Sequence, residues 1–224
     1  MGLRVIVTGA SGMVGEGVMF ECLQRPEVEQ VLVVGRRACG TVHPKLKEIL
    51  IPDLFDLSQI RSQLAGYDAC YFCLGTSSIG MKEADYRRVT YDLTLNFART
   101  LVEESPAMTF CYISGAGTDS SEHGRLMWAR VKGKTENDLA ALPFKAVFLF
   151  RPGFIQATPG LHNTLTLYRY LRWLVPILRL FARSMICSLR EIGDAMLAVT
   201  LHGYPQRILE VKDIVHAAAS IAPN

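Results

Sequence analysis

Three glycines near the start of the chain are spaced so that they could hold a phosphate group. Gly9, Gly12 and Gly15 follow the apolar run at residues 5–7 and open a segment with helical periodicity. The first permits a sharp turn, the second lets backbone approach a pyrophosphate, and the third lets helix pack on strand. The helix N-terminus would present free N–H groups to the phosphates. We therefore predict dinucleotide binding by Gly9, Ala10, Ser11, Gly12, Met13, Val14 and Gly15.

Two arginines at the predicted end of the second strand bear on which dinucleotide is bound. Units that bind NAD tend to place an Asp or Glu about 20 residues after the glycines, where it contacts the ribose 2′-hydroxyl. In this chain Arg36 and Arg37 occupy that region, with no acidic residue beside them. Because guanidinium groups attract a 2′-phosphate, we predict NADP rather than NAD. The alternative is that one or both arginines are solvated surface residues.

Further cofactor contacts are expected where other predicted strands end, because ligands of open α/β sheets bind beyond the carboxyl ends of the strands. Asp53, with Leu54 beside it, follows the predicted third strand and is suited to contacting the adenine. The fourth and sixth predicted strands end at Leu74, Gly75 and Thr76, and at Pro152, Gly153, Phe154 and Ile155. We predict cofactor contacts from all of these residues.

Apolar runs and helical periodicities alternate along the chain. Strands are predicted at residues 3–7, 30–34, 48–52, 69–74, 109–113, 146–151 and 207–211, and helices at 12–24, 58–64, 82–104, 125–142, 192–201 and 212–222. In the long helix 82–104, Val89, Leu93, Phe97 and Leu101 form an apolar row. The alternation predicts an α/β fold: a Rossmann-type, doubly wound, mainly parallel sheet of about seven strands, with a small C-terminal substrate or lid region.

Composition narrows the class of protein. A chain of 224 residues, half of them hydrophobic, predicts one globular domain over 1–224. The net charge of +3 is too small to indicate nucleic-acid binding. The six cysteines lie mostly in apolar runs, which is typical of reduced thiols inside cells. Cys70 and Cys73 would point to opposite faces of a strand, so no metal site is predicted. With no signal peptide before the first strand, we expect a cytoplasmic protein.

The segment after residue 155 departs from this alternation. Residues 156–166 read as a loop, and residues 167–185 are apolar with arginines at 169, 172, 179 and 183 and an interrupting Pro176. We predict that residues 156–190 are an insertion in the single domain that covers the substrate and exposes a basic face. Contact of residues 167–185 with a membrane surface or a protein partner is the alternative.

Several motifs together resemble the short-chain dehydrogenase/reductase superfamily, in its extended or atypical branch. They are residues 8–15, Gly35-Arg36-Arg37, residues 73–76, the strand end at Ser114, Val131-Lys132-Gly133 with Glu136, and Arg151-Pro152-Gly153. Within that superfamily the chain is similar to oxidoreductases like the HIV Tat-interacting protein and to NmrA-like and epimerase-type NAD(P)-binding proteins. The resemblance covers nearly the whole chain and identifies no substrate.

The resemblance implies a catalytic Ser and a Tyr-x-x-x-Lys on one helix. The Tyr exchanges a proton with the substrate carbonyl, the Lys bonds the nicotinamide ribose, and the Ser orients the substrate oxygen. Ser114 matches the Ser and Lys132 matches the Lys, but Trp128 stands at the Tyr position. An indole N–H does not ionise usefully near neutral pH, so Trp128 is expected to pack on the nicotinamide or to line the pocket.

Other side chains could supply the missing proton. His123 is the best of them, because it lies between Ser114 and Lys132 and histidine titrates near neutral pH. Tyr91, Asp119 and Tyr168 are weaker alternatives, each more typical of a structural or exposed residue.

Two functions stay open at this point. The first is an NADP-dependent oxidoreductase that acts on a small or lipid-like carbonyl with a relocated or solvent proton, as the retained Ser114 and Lys132 favour. The second is a non-catalytic NADPH-binding sensor or scaffold, as Trp128 and the basic segment 167–185 favour. An isomerase or dehydratase on the same scaffold is a lesser alternative. The sequence does not indicate the substrate, the oligomeric state or a protein partner.

Overall fold

The computed structural model describes residues 2–161, 163 and 185–221. Strands of the central sheet are β1 (Leu3–Thr8), β2 (Val28–Gly35), β3 (Leu46–Leu50), β4 (Ala69–Phe72), β5 (Thr109–Ile113), β6 (Ala146–Arg151) and β9 (Ile208–Glu210). Among the described residues they form a seven-stranded sheet in the order β3-β2-β1-β4-β5-β6-β9, and every pair is parallel. The order reverses between β1 and β4, which opens a crevice at their carboxyl ends. The predicted Rossmann-type fold is confirmed.

Helices cover both faces of the sheet. They are α1 (Met13–Gln24), α2 (Glu83–Arg87), α3 (Leu93–Glu104), α4 (Met127–Ala140), α5 (Leu189–His202) and α6 (Val211–Ala218), with a π-helical turn at Arg88–Asp92 and a 3-10 turn at Arg61–Leu64. Val5 and Val7 of β1 join the core beneath α1, α5 and α6, whereas Ile6 joins the core beneath α3 and α4. β1 is therefore apolar on both sides, as a strand inside a parallel sheet with two covered faces requires. The edge strand β3 differs, because Lys47 and Glu48 are exposed.

Pairing and capping explain where the observed elements differ from the predicted ones. β3 lies at Leu46–Leu50 instead of 48–52 because Leu46 pairs with Val31 of β2. The helix predicted at 58–64 is reduced to the turn Arg61–Leu64. α5 begins at Leu189 instead of residue 192, because Ser188 and Glu191 form a capping box. The Glu191 N–H donates to the Ser188 hydroxyl over 3.1 Å, and the Ser188 N–H donates to the Glu191 carboxylate over 2.6 Å.

A small second sheet follows the central one and was not predicted. β7 (Phe154–Gln156) pairs in parallel with β8 (Ile186–Ser188), which brings two distant parts of the chain together at the end of β6. The predicted loop at 156–166 is therefore only partly correct. Most of the predicted insertion, including the four arginines of residues 167–185, Pro176 and Tyr168, lies outside the described residues, so its role as a cover stays a prediction.

Five of the six cysteines are buried, and Cys73 is half-buried. All six are free thiols. Cys70 belongs to the core beneath α3 and α4, and Cys73 packs against the opposite core, as the strand periodicity predicts. Within the described ranges, no three His, Cys, Asp or Glu side chains are grouped to hold a metal ion. No helix in the same part of the chain is long and apolar enough to cross a membrane.

A buried ion pair joins α1 to α5. The Arg25 guanidinium, 1% exposed, donates to Oδ1 of Asp194 from Nε over 3.0 Å and from Nη2 over 2.5 Å. Burial and the nearby Asp194 charge both raise the pKa of Glu21 on the same surface of α1. Arg25 therefore supplies positive charge where the carboxylates of Glu21 and Asp194 meet between the two helices.

We expect Asp194→Ala to lower the free energy of unfolding by about 3–5 kcal/mol, because removing one partner leaves the other charge buried. Urea denaturation followed by circular dichroism measures the loss. Arg190→Ala is the matched control, since Arg190 is half-exposed and lies 3.5 Å from Asp194. That variant should cost less than about 1 kcal/mol. Equal losses in both variants would contradict the assignment of stability to Arg25.

Candidate functional site

The turn between β1 and α1 is built by close backbone contacts. Gly9 has a left-handed φ of 72°, and its carbonyl accepts a 2.9 Å hydrogen bond from the Gly12 N–H. A Cβ added at Gly15 would lie only 2.2 Å from the Gly9 oxygen. Gly12 is exposed, and a Cβ added there would have that same oxygen as its nearest neighbour, at 3.4 Å. The turn therefore needs Gly9 and Gly15 for its own shape, whereas Gly12 leaves open space in front of the helix.

A cavity of about 40 Å³ adjoins this turn. Gly9, Ala10 and Ser11 line one side, and Arg36 and Arg37, both exposed, line another. Its other described lining residues are Val33, Gly35, Leu54 and Leu74, none of them acidic. The predicted phosphate-binding turn and the two predicted arginines are therefore adjacent, at the carboxyl ends of β1 and β2.

A larger cavity of about 260 Å³ continues from Arg36, Leu54 and Leu74, which line both spaces. It brings together Asp53, the predicted adenine contact, and four other residues that were predicted to contact the cofactor: Leu54, Leu74, Gly75 and Thr76. Its remaining described walls were not predicted, and they are Pro52, Phe55, Met81, Val89 and Leu93. The Arg88 guanidinium carbon lies 5.6 Å from the centre of the Phe55 ring, beside this cavity.

Val89 departs from its predicted place in a buried row. It is 37% exposed and lines the larger cavity, while Phe97 and Leu101 lie in the core. The π-helical turn at Arg88–Asp92 causes the difference, because its wider turn changes the phase of the residues on either side. An uninterrupted period of 3.6 residues cannot indicate such a turn, so sequence periodicity missed these walls.

Ser114 lies at the end of β5, and its hydroxyl is occupied within the protein. It donates to Oε1 of Glu136 over 2.5 Å and lies 3.1 Å from the Phe150 carbonyl oxygen. Ser114 is 5% exposed and Glu136 is fully buried. Glu136 also pairs with the Arg151 guanidinium, whose Nε donates over 3.1 Å. The serine that the resemblance assigned to a substrate oxygen is therefore bonded to a buried carboxylate.

Lys132, on α4, also contacts Ser114. Its Nζ donates to the Ser114 backbone carbonyl, and it is one helical turn before Glu136 on α4. Burial lowers the pKa of Lys132 to about 8, although the charge of Glu136 acts in the opposite direction. Neighbouring Gly133 is required for this arrangement, because a Cβ there would lie 1.8 Å from the Asp119 carbonyl oxygen.

Trp128 lies one turn before Lys132 on α4 and faces the Gly115–Gly117 region. A Cβ added at Gly117 would lie 3.6 Å from an atom of its indole ring. Trp128 therefore lies against the loop after β5, where its indole offers no acid, and its expected packing on the nicotinamide stays a prediction. The structure brings Ser114, Trp128 and Lys132 together around the end of β5.

The alternative proton donors are placed less favourably. His123 is exposed, and its backbone N–H is 3.3 Å from the Ser121 hydroxyl. Asp119 accepts from Ser121 and Gly124, and these bonds lower its pKa. Tyr91 donates to Asp138 on the outer side of α4, so its phenol is turned away from Ser114. The predicted roles of Tyr91 and Asp119 are not supported by this geometry.

The four residues after β6 that were predicted to contact the cofactor differ in their surroundings. The Pro152 carbonyl accepts from the Ala116 N–H over 2.9 Å, which ties this segment to the loop after β5. A Cβ at Gly153 would lie 2.4 Å from the Met185 carbonyl oxygen, so this glycine admits the strand β8. The Ile155 side chain is buried and belongs to the core beneath α1, α5 and α6, so its contact with a cofactor stays a prediction. Phe154 is half-buried beside Ile186 in the small sheet.

Known proteins are similar to this chain in sequence over about two thirds of its length. No family model matches the chain. Protein HTATIP2 of Rattus norvegicus is 27% identical over 153 residues, which is 67% of this chain and 62% of that protein. Protein FMP52, mitochondrial, of Meyerozyma guilliermondii is 23% identical over 154 residues, 68% of this chain and 65% of that protein. The chain thus matches less than two thirds of the length of these relatives.

The cytoplasmic location predicted from the sequence is wrong by this comparison. FMP52 proteins from several fungi, including Saccharomyces cerevisiae, are named as mitochondrial proteins. An argument from secretory signal peptides bears on secretion alone, so it could not separate the cytoplasm from an organelle.

Solved structures share the fold at low sequence identity. A short-chain dehydrogenase from Burkholderia cenocepacia in complex with NADP superposes with a TM-score of 0.65 at 16% identity, covering 98% of this chain and 93% of that one. The enzyme WbmF of Bordetella bronchiseptica in complex with NAD⁺ superposes with a TM-score of 0.66 at 15% identity, covering 96% and 76%. With the sequence relatives, these structures confirm the predicted resemblance: the chain is similar to HTATIP2 and FMP52 in sequence, and it shares the fold of a solved short-chain dehydrogenase.

Proposed function

We propose that this protein binds NADP(H) along the carboxyl ends of β1, β2 and β4, and that it serves as a non-catalytic NADPH-binding sensor or scaffold. The observation that carries the cofactor assignment is the pair of adjoining cavities that share Arg36. The larger cavity suits an adenine ring, and the smaller one adjoins the glycine turn that would hold the diphosphate. Arg36 would then lie between base and diphosphate, where an adenosine ribose must pass, with Arg37 beside it in the smaller cavity.

The lining of the smaller cavity supports NADP over NAD. Two arginines and no carboxylate among its described walls favour a dianionic 2′-phosphate, since guanidinium and phosphate form charge-assisted hydrogen bonds. Asp53 is the acidic member of the larger cavity, and it follows β3 instead of β2. Solved structures that share this fold contain either NAD⁺ or NADP. The preference for NADP therefore rests on Arg36 and Arg37 and not on the fold.

Replacing Arg36 and Arg37 together by Ala should weaken NADP⁺ binding by about 10- to 100-fold, as expected for lost hydrogen bonds to a charged group worth about 1.5–3 kcal/mol. NAD⁺ binding should change little. Equilibrium titrations followed by protein fluorescence give both affinities. Arg61→Ala is the control, because Arg61 pairs with Glu103 and Glu104 away from both cavities. Wild-type protein that binds NAD⁺ as tightly as NADP⁺ would overturn the assignment.

The occupied serine hydroxyl and Trp128 support a role without turnover. The Ser–Tyr proton route of the family needs a hydroxyl free to meet the substrate and a phenol beside the lysine. Here the Ser114 hydroxyl donates to Glu136, and an indole stands at the tyrosine position. A bound cofactor would therefore lack both groups that normally move or hold the proton.

An oxidoreductase acting on a small or lipid-like carbonyl is the second candidate function, and Lys132 favours it. Its position one turn from Trp128 is the one that the family uses for the nicotinamide ribose, so a hydride donor would be held correctly. Water would then have to deliver the proton. Measuring NADPH oxidation over a panel of carbonyl compounds separates the two functions, since rapid wild-type turnover would exclude the sensor.

A further inference from the structure

We propose that Ser114 is a positioning residue, held by Glu136 and Arg151, and that it fixes the Lys132 ammonium group for the cofactor instead of touching a substrate. The inference rests on the proposed function, because it takes Lys132 to meet the nicotinamide half of the dinucleotide. It assigns to Glu136 and Arg151 a part in cofactor binding at a distance from the cofactor itself.

Ser114 is held from two sides by the same helix. Its hydroxyl donates to Glu136 over 2.5 Å, and its backbone carbonyl accepts from Lys132. Lys132 and Glu136 are four residues apart on α4 and therefore face the same side of the helix. Ser114 is thus held between the Lys132 and Glu136 side chains, which belong to successive turns of α4. These two contacts form a clamp on Ser114.

Arg151 makes the clamp rigid from the neighbouring strand. It pairs with Glu136 and donates to the Ser120 hydroxyl over 2.6 Å, and it is 9% exposed. Burial opposes its charge, yet hydrogen bonds and the charge of Glu136 outweigh that effect and raise the pKa of Arg151. Glu210, 3.4 Å from Arg151, is the other carboxylate in this network. The Glu136 carboxylate is consequently fixed by two hydrogen-bonded neighbours from different strands.

The consequence for Lys132 is geometric as well as electrostatic. Its flexible four-carbon side chain has a fixed acceptor in the Ser114 carbonyl and a nearby negative charge in Glu136. Without the clamp, the carbonyl would be free to move and the ammonium would lose the charge that opposes its desolvation. A substrate oxygen would also have to displace Glu136 before it could accept from Ser114.

Double-mutant cycles test whether Ser114 and Glu136 act through Lys132. Glu136→Gln and Ser114→Ala are each made in the wild-type and Lys132→Met backgrounds, and NADP⁺ and 2′,5′-ADP affinities are measured. Each single change should weaken NADP⁺ by about tenfold, leave 2′,5′-ADP unchanged, and add no further loss once Lys132 is replaced. Asp138→Asn is the matched control, since Asp138 pairs with Lys134 on the outer side of the same helix.

A second readout follows the lysine directly. In protein with ¹³C-methylated lysines, the Lys132 signal, identified by its absence in Lys132→Met, should titrate at lower pH in Glu136→Gln than in the parent. Unchanged NADP⁺ affinity and an unchanged midpoint would overturn the inference. If Glu136→Gln fails to fold, Ser114→Ala decides, because it keeps the Glu136–Arg151 pair. Failure of wild-type protein to bind 2′,5′-ADP would instead refute the proposed function. The midpoint of the Lys132 titration would still show whether Glu136 acts on Lys132.

Discussion

Gly15→Ala is expected to weaken NADP⁺ binding by at least about 100-fold and to destabilise the protein. The added Cβ would lie 2.2 Å from the Gly9 carbonyl oxygen and 2.4 Å from its carbon, and both are backbone atoms that cannot rotate away. The first turn of α1 must therefore move off β1, which disperses the N–H groups that would face the diphosphate. Forced overpacking of this kind costs about 1–3 kcal/mol or more. Fluorescence titration and urea denaturation measure the two losses.

Gly12→Ala should distinguish an effect on NADP⁺ binding from an effect on stability. Gly12 has extended backbone angles that alanine adopts freely, and among the described residues its added Cβ would meet only the Gly9 oxygen, at 3.4 Å. Stability should stay within about 0.5 kcal/mol of the parent, as for exposed substitutions. NADP⁺ binding should still weaken, because the methyl group would fill the space predicted for the diphosphate. Undiminished binding in Gly12→Ala would place the diphosphate elsewhere.

The fold could be predicted because its signals are local and repeated. Apolar strands such as 109–113 and 146–151 coincide with β5 and β6, since a strand buried on both faces leaves a continuous apolar run. The pairing of β7 with β8 could not be predicted, because the partners are distant in sequence and only three residues long. The start of α5 was missed although Ser188 and Glu191 carry the spacing of a capping box.

The site was predictable where it consists of strand ends and not where it depends on side-chain partners. Gly9, Arg36, Asp53 and Gly75 come together because parallel strands end at one edge. The bond from Ser114 to Glu136 joins residues of different elements, and the motif that contains Glu136 does not reveal which way its carboxylate points. The family resemblance therefore implied a substrate contact for Ser114, whereas its hydroxyl is bonded to Glu136 inside the protein.

Trp128→Tyr is expected to create or raise NADPH-dependent carbonyl reduction by about 100-fold or more, within the range of about 10²–10⁴ that a positioned general acid contributes. The introduced phenol would lie one helical turn from Lys132, whose positive charge favours the phenolate. It is smaller than the indole that now packs against the Gly117 region, so the site has room for it. NADPH oxidation across a carbonyl panel, compared between variant and wild type, measures the gain.

Two controls decide what a gain in Trp128→Tyr means. Trp128→Phe makes the same space without a hydroxyl, so a proton-donor role requires that it stay as slow as the wild type. Lys132→Met in the tyrosine background should remove most of the gain, because the phenol would lose its charged neighbour. Reduction by the tyrosine variant should fall as pH rises through the pKa of the phenol, since the acid form is consumed. If tyrosine and phenylalanine variants react alike, position 128 governs access to the cofactor. If the wild type already turns over as fast as the tyrosine variant, a proton reaches the carbonyl by another route and the sensor role fails.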